Sequence, residues 1–157
     1  MDDVRWLDEQ EHRAWRALQL MQMRLTARLA GDLAATSDLS YPDYLVLVAL
    51  TGSPGGRMRL FELARVLGWE KSRVSHQIAR MSDRGLVTKE KCGSDRRGAF
   101  VGATAKGRKG IEAAAPHHVA MVRRLFVDPL TPAQLEAVAG VAEAVLEILD
   151  GEDDGDE

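Results

Sequence analysis

The sequence predicts a mainly α-helical domain with one small β-hairpin, and three observations carry that expectation. Apolar residues recur three or four positions apart through long stretches near both ends of the chain. In the middle, two shorter amphipathic segments flank the tight turn Leu67-Gly68-Trp69. Beyond them, two runs of β-forming residues bracket Gly93-Ser94-Asp95-Arg96-Arg97-Gly98, a hairpin with a basic tip. The chain has 157 residues, 45% apolar and 29% charged. A globular domain of this size buries roughly two-thirds of its unfolded surface and needs neither disulfide nor metal to fold.

The elements follow in order. From Glu9 to Ala35, Trp15, Leu18, Met21, Leu25, Leu29 and Leu33 form the stripe of a long helix that needs a partner helix to cover it. Ser40 is an N-cap for a short apolar helix, with Pro42 and Asp43 in its first turn. The stretch from Thr51 to Gly56 reads as a loop. A helix over Leu60–Val66 and another over roughly Glu70–Arg84 follow, the second with Val74, Ile78 and Met81 toward the core and Gly85 as its left-handed stop. Leu86–Cys92 and Ala99–Ala103 are the two strands. Thr104 caps a further helix, in which Pro116 is expected to make a kink or break. Thr131-Pro132-Ala133-Gln134 is a capping box that opens the last helix, striped by Leu135, Val138, Val141, Ala142, Val145, Leu146 and Leu149.

Two helices joined by a short glycine-containing turn and followed by a basic hairpin make a winged helix-turn-helix domain, here over residues 41–109. The terminal helices, 1–40 and 110–150, carry more apolar face than such a small domain covers, and dimerisation would use the surplus. Residues 151–157 are expected to form an acidic, disordered tail. No apolar run nears the roughly 18 residues that span a bilayer, and Met1-Asp2-Asp3 has the wrong sign for a secretory leader. The cytoplasm is the expected compartment, with no membrane partner.

Charge is segregated along the chain, although the formal net value is only −3. Residues 57–109 hold 14 Lys and Arg against five Asp and Glu, a net +9, between flanks of −3 and −9. A cation of that density coinciding with a helix-turn-helix pattern points to duplex DNA. A winged-helix module meeting an acidic protein, or a nonspecific DNA binder, would share the same charge; a steep, salt-sensitive preference for the chain's own promoter separates the three. Nothing indicates an enzyme or a cofactor. There is no HExxH, no Cys/His metal spacing, no phosphate-cradling glycine loop and no nucleophile elbow. His117 and His118 point about 100° apart on a helix, so together they make no metal site.

Leu60-Phe61-Glu62-Leu63-Ala64, Arg84-Gly85-Leu86-Val87, and Asp95-Arg96-Arg97 followed by Ala103-Thr104-Ala105-Lys106-Gly107 occur in an informative order. On these pieces, the stretch from Trp15 to Leu149 resembles the multiple-antibiotic-resistance regulator (MarR) family of bacterial winged-helix transcription factors. Ala103 stands where that family usually has Leu. The resemblance implies a homodimer with interlocked terminal helices, binding a pseudo-palindromic operator. Members of the family commonly repress, although activators also occur, so the resemblance implies a regulator, most often a repressor, that releases DNA on binding a small aromatic or phenolic effector.

Within the second helix of the motif, Ser72, Arg73, His76 and Gln77 are the candidates for reading bases, since Arg and Gln can make paired hydrogen bonds to a purine edge. Lys71, Ser75 and Arg80 are candidates for phosphates. On the wing, Arg96 or Arg97 would enter the minor groove, with Asp95 orienting one of them. By the resemblance, an effector site lies between the dimer helices and the winged domain, where His12, Trp15, Arg16, Tyr44 and His118 are the candidate lining. Cys92 lies near the wing, outside the first helices where thiol sensors of the family generally carry their cysteine, so no oxidation-sensing role is assigned to it.

Overall fold

The computed structural model describes residues 4–91 and 98–153, and the chain divides into two compact units, 1–118 and 119–157. The first unit opens with α1 (Glu9–Thr36). Its start is a reciprocal cap: Asp8 Oδ1 accepts from the Glu11 N–H at 2.8 Å, and Glu11 Oε2 accepts from the Asp8 N–H at 2.9 Å. Only the C-terminal part of its stripe is covered. Leu29 and Leu33 are buried, while Trp15, Leu20, Met21 and Met23 are exposed.

The next helix, α2 (Tyr41–Thr51), is capped by Ser40 and Asp43 in the same reciprocal way. It is apolar on nearly every side, so it belongs in the middle of a core. Val46, Leu47 and Leu50 are wholly buried there, among Leu63, Val74, Ile78, Met81 and Val101. A single 3₁₀ turn at Pro54–Gly56 leads into β1 (Arg57–Arg59), which precedes α3 (Leu60–Leu67) and α4 (Lys71–Asp83). Gly85 takes the expected left-handed conformation after α4, at φ +73°.

The hairpin strands are β2 (Val87–Glu90) and β3 (Phe100–Ala103). They belong to a three-stranded antiparallel sheet in the order β1-β3-β2, with Val101 opposite both Met58 and Lys89. The expected hairpin is thus completed by β1, a strand too short for its period of two to stand out in the sequence.

Thr104 caps α5 (Ala105–Val122), its Oγ1 accepting from the Gly107 N–H at 3.0 Å. Position 107 admits only glycine, because a Cβ there would run into the Leu86 carbonyl oxygen. That close approach seats α5 against the start of β2. Pro116, where a kink or break is expected, does not break the helix; α5 runs on to Val122. Pro116 and Glu112 are both exposed, so water can serve the carbonyl that proline leaves without a donor.

The second unit holds the end of α5, a wide π-type turn at Arg123–Val127, and α6 (Pro132–Asp153). The predicted box forms, with Thr131 Oγ1 accepting from the Gln134 N–H at 3.2 Å and Gln134 Oε1 accepting from the Thr131 N–H at 2.9 Å. Along α6, Val138, Val141, Val145, Leu146 and Leu149 are all exposed. The helix continues to Asp153, three residues into the stretch read as a disordered tail, since extending an existing helix costs far less than nucleating one. Residues 154–157 lie outside the described residues. Among the described residues, no helix is long and apolar enough to cross a membrane.

Candidate nucleic-acid interface

The middle of the first unit presents α4 as a helix with one dry and one wet side. Val74, Ile78 and Met81, at i, i+4 and i+7, are 0%, 1% and 0% exposed. Burying three such side chains contributes about 1.5–3 kcal/mol each and fixes the rotation of the helix about its axis. Ser72 and His76 consequently lie on the opposite face, and both are exposed. Arg73 and Arg80 are exposed on one flank, two helical turns apart, with Lys71 exposed in the first turn and Ser75 half-buried.

Arg73 is held by Trp69, in the turn before α4. Its guanidinium lies over the Trp69 ring, 4.1 Å from the centroid. Stacking uses the face of the guanidinium and leaves its N–H edges in plane, where they can meet a purine edge or a phosphate. This pairing depends on the turn between α3 and α4, which brings position 69 beneath position 73.

Gln77 requires a correction. Residue type put it among the base readers, but it is only 3% exposed. Its spacing explains why: 77 is three residues after Val74 and four before Met81, so it falls on the core stripe. Gln77 Nε2 donates to Asp43 Oδ1 at 2.7 Å, and Gln77 Oε1 accepts from Arg80 Nη2 at 2.6 Å. Arg84 is also used by the fold. It donates through Nη1 to Asp43 Oδ2 at 2.6 Å and through Nη2 to the Asp38 carbonyl at 2.6 Å. The buried Asp43 carboxylate thereby ties the start of α2 to α4.

Asp95, Arg96, Arg97 and Cys92 lie outside the described residues. At the root of the wing, β1 adds two cations that the sequence did not single out. Arg57 and Arg59 place their guanidinium carbons 4.8 and 4.5 Å from the Phe100 ring centroid, and Arg57 Nη1 stands 3.7 Å from Glu90 Oε2.

The five candidate effector residues fall into two groups. Tyr44 and His118 meet, with ring centroids 4.4 Å apart at 45°, and Tyr41 lies 6.5 Å from His118. Burial pushes the Tyr44 hydroxyl above its ordinary pKa, helped by Tyr41. Burial also lowers the His118 pKa, against an opposing pull from Asp32. His12, Trp15 and Arg16 are exposed on the first half of α1. One chain does not bring them to the Tyr44–His118 pair. His117, beside His118, meets Asp32 of α1 at 2.9 Å, and roughly 25 Å of helix separates Asp32 from Trp15. The two histidines therefore face different partners. Among the described residues, no group of three or more His, Cys, Asp or Glu is placed to hold a metal ion.

A family model described as MarR family matches residues 37–98, the stretch that contains α2, α3 and α4. The transcriptional regulator HosA of Escherichia coli is 35% identical over 106 residues, which make up 67% of this chain and 74% of HosA. Among solved structures, AbsC, a MarR family transcriptional regulator from Streptomyces coelicolor, has a TM-score of 0.85 at 42% identity, covering 94% of this chain and 99% of AbsC. Sco3205, a MarR family transcriptional regulator from the same organism solved in complex with DNA, has a TM-score of 0.85 at 35% identity, covering 94% of this chain and 92% of its own. With its helix-turn-helix, its three-stranded wing sheet and these likenesses along nearly its whole length, this chain belongs to the MarR family of transcriptional regulators.

Proposed function

We propose that the protein is a cytoplasmic, homodimeric, sequence-specific DNA-binding repressor that acts on a pseudo-palindromic operator and uses no cofactor. The observation that carries this reading is the exposed face of α4, where Arg73, His76 and Arg80 stand clear of a core built by the opposite side of the same helix. An α-helix so presented fits the major groove. Arg73 and His76 are the base readers, while Lys71, Ser75 and Arg80 meet phosphates, with Ser72 allowing close approach. Arg96 or Arg97 would enter the minor groove, with Asp95 orienting one of them. The solution of the similar Sco3205 in complex with DNA supports the same use of this chain.

Pairing of two chains accounts for the apolar stripe of α6 and for the exposed apolar residues in the earlier part of α1, which a single chain leaves in water. Two recognition helices would then read half-sites about one helical turn, 10 to 10.5 base pairs, apart. A small aromatic or phenolic effector would stack against Tyr44 and His118 and release the operator; His12, Trp15 and Arg16, which one chain holds apart from that pair, would join the lining only from a second copy.

Selection of duplexes from a random pool, followed by footprinting on the upstream region of the chain's own gene, tests this reading. The expected result is a two-fold related pair of half-sites at that spacing, with binding that weakens on adding salt by a logarithmic slope of about 0.9 per phosphate contact. Recovery of no preferred sequence would refute it.

A further inference from the structure

The Gln77 amide bridges a buried carboxylate and a surface guanidinium. Asp43 and Gln77 are 1% and 3% exposed, whereas Arg80 is exposed. Asp43 Oδ2 accepts from the Ser40 N–H at 2.9 Å and from Arg84 Nη1 at 2.6 Å, leaving Oδ1 for the Gln77 amide. Among the described residues, no buried side-chain nitrogen or oxygen lacks a partner.

This arrangement gives the amide a single sense. A carboxylate only accepts hydrogen bonds and a guanidinium only donates them, so the Gln77 NH₂ must face Asp43 and its oxygen must face Arg80. Donation to a carboxylate also polarises the amide and strengthens its oxygen as an acceptor. Arg80, otherwise a long side chain sampling many rotamers, is held by one N–H at the same flank of α4 as Arg73. Its remaining donors are left for another acceptor.

We propose that Gln77, oriented by Asp43, is a positioning residue: it sets the Arg80 guanidinium for a DNA phosphate and does not itself touch DNA. The proposal rests on the reading of α4 as the DNA-binding helix.

Isosteric exchanges test it. In Asp43→Asn, Ser40 and Arg84 keep the amide oxygen on their side, so the new NH₂ faces Gln77. The Gln77 amide then turns over and presents its own NH₂ to Arg80, which loses its acceptor while the core stays filled. Adding Gln77→Glu moves the carboxylate to position 77, where one oxygen accepts from position 43 and the other from Arg80. Every hydrogen bond is restored in number, and the net charge is unchanged.

Each variant is titrated with a duplex selected by the wild-type chain, in the Arg80 and Arg80→Ala backgrounds, alongside thermal unfolding. The expectation is an affinity loss of about tenfold for Asp43→Asn, recovery to within about threefold in the double variant, and no difference among them once Arg80 is gone. Should Asp43→Asn not fold, Gln77→Met gives the same readout, since it keeps the bulk and leaves Asp43 to Ser40 and Arg84. Unchanged affinity, a loss that persists in the Arg80→Ala background, or a double variant no better than the single one overturns the positioning role. A wild-type chain that selects no duplex overturns the DNA reading itself and this proposal with it.

Discussion

Along α2, Val46, Leu47 and Leu50 are 0% exposed; along α6, Val141, Leu146 and Ile148 are 60%, 55% and 63% exposed. Both helices are rich in aliphatic side chains, yet only the first finds its partners within the chain. The core around α2 closes within the chain, with Leu33, Leu39 and Ala114 joining the residues from 41 to 109, and so fixes the buried face of α4 in place. The terminal helices hold apolar surface in reserve, which teaches that one chain is sufficient for the geometry of the interface but not for covering all that the sequence encodes.

The largest expected effect tests the closed region. Leu47→Ala removes a wholly buried side chain and should cost about 2–5 kcal/mol by urea unfolding. A smaller loss would mean that the core around α2 is looser than its burial implies. Next, Arg73→Ala should weaken binding to a selected duplex by about 1–3 kcal/mol while leaving the unfolding midpoint in place, because the side chain packs on Trp69 from outside. A shift in stability equal to the loss in binding would place Arg73 with the core. Leu146→Ala, in the open region, should change the stability of the dilute chain by no more than about 0.5 kcal/mol. Its effect should grow with protein concentration, as association removes that face from water; an effect independent of concentration would contradict pairing through α6.

The smallest effect concerns pH. Burial holds the His118 pKa below the ordinary histidine value of 6.5, so the unfolded chain takes up a proton that the folded chain resists. The contribution of this group is complete above about pH 6.5 and is lost as pH falls through the folded value. His118→Asn should flatten the acid-side decline measured by denaturant unfolding. Parallel curves for the two proteins would show that this ring is not the source.

Long periodic elements were legible in the sequence because many residues vote on one period. The stripes of α1 and α6, and the capping box at Thr131 and Gln134, needed no tertiary information. The strand Arg57–Arg59 was not legible, because three residues carry no periodic signal and its existence depends on pairing with β3. Within the site, Lys71, Ser72, Arg73, His76 and Arg80, candidates chosen by residue type, are all exposed. Gln77 was misplaced because residue type was weighed above position on the helix, and a buried glutamine becomes affordable only when Asp43, a residue 34 positions away, supplies its partner. The Trp69–Arg73 stack was hidden for a similar reason: it follows from the path of a turn, not from spacing along one helix.

Titration of a fluorescent selected duplex and a scrambled duplex of equal length, at several salt concentrations, tests the central claim most directly, with the wild-type chain beside Arg73→Ala. The account predicts a clear preference for the selected duplex, steep weakening with salt, and loss of most of that preference in the variant. Equal affinity of the wild-type chain for both duplexes would contradict it.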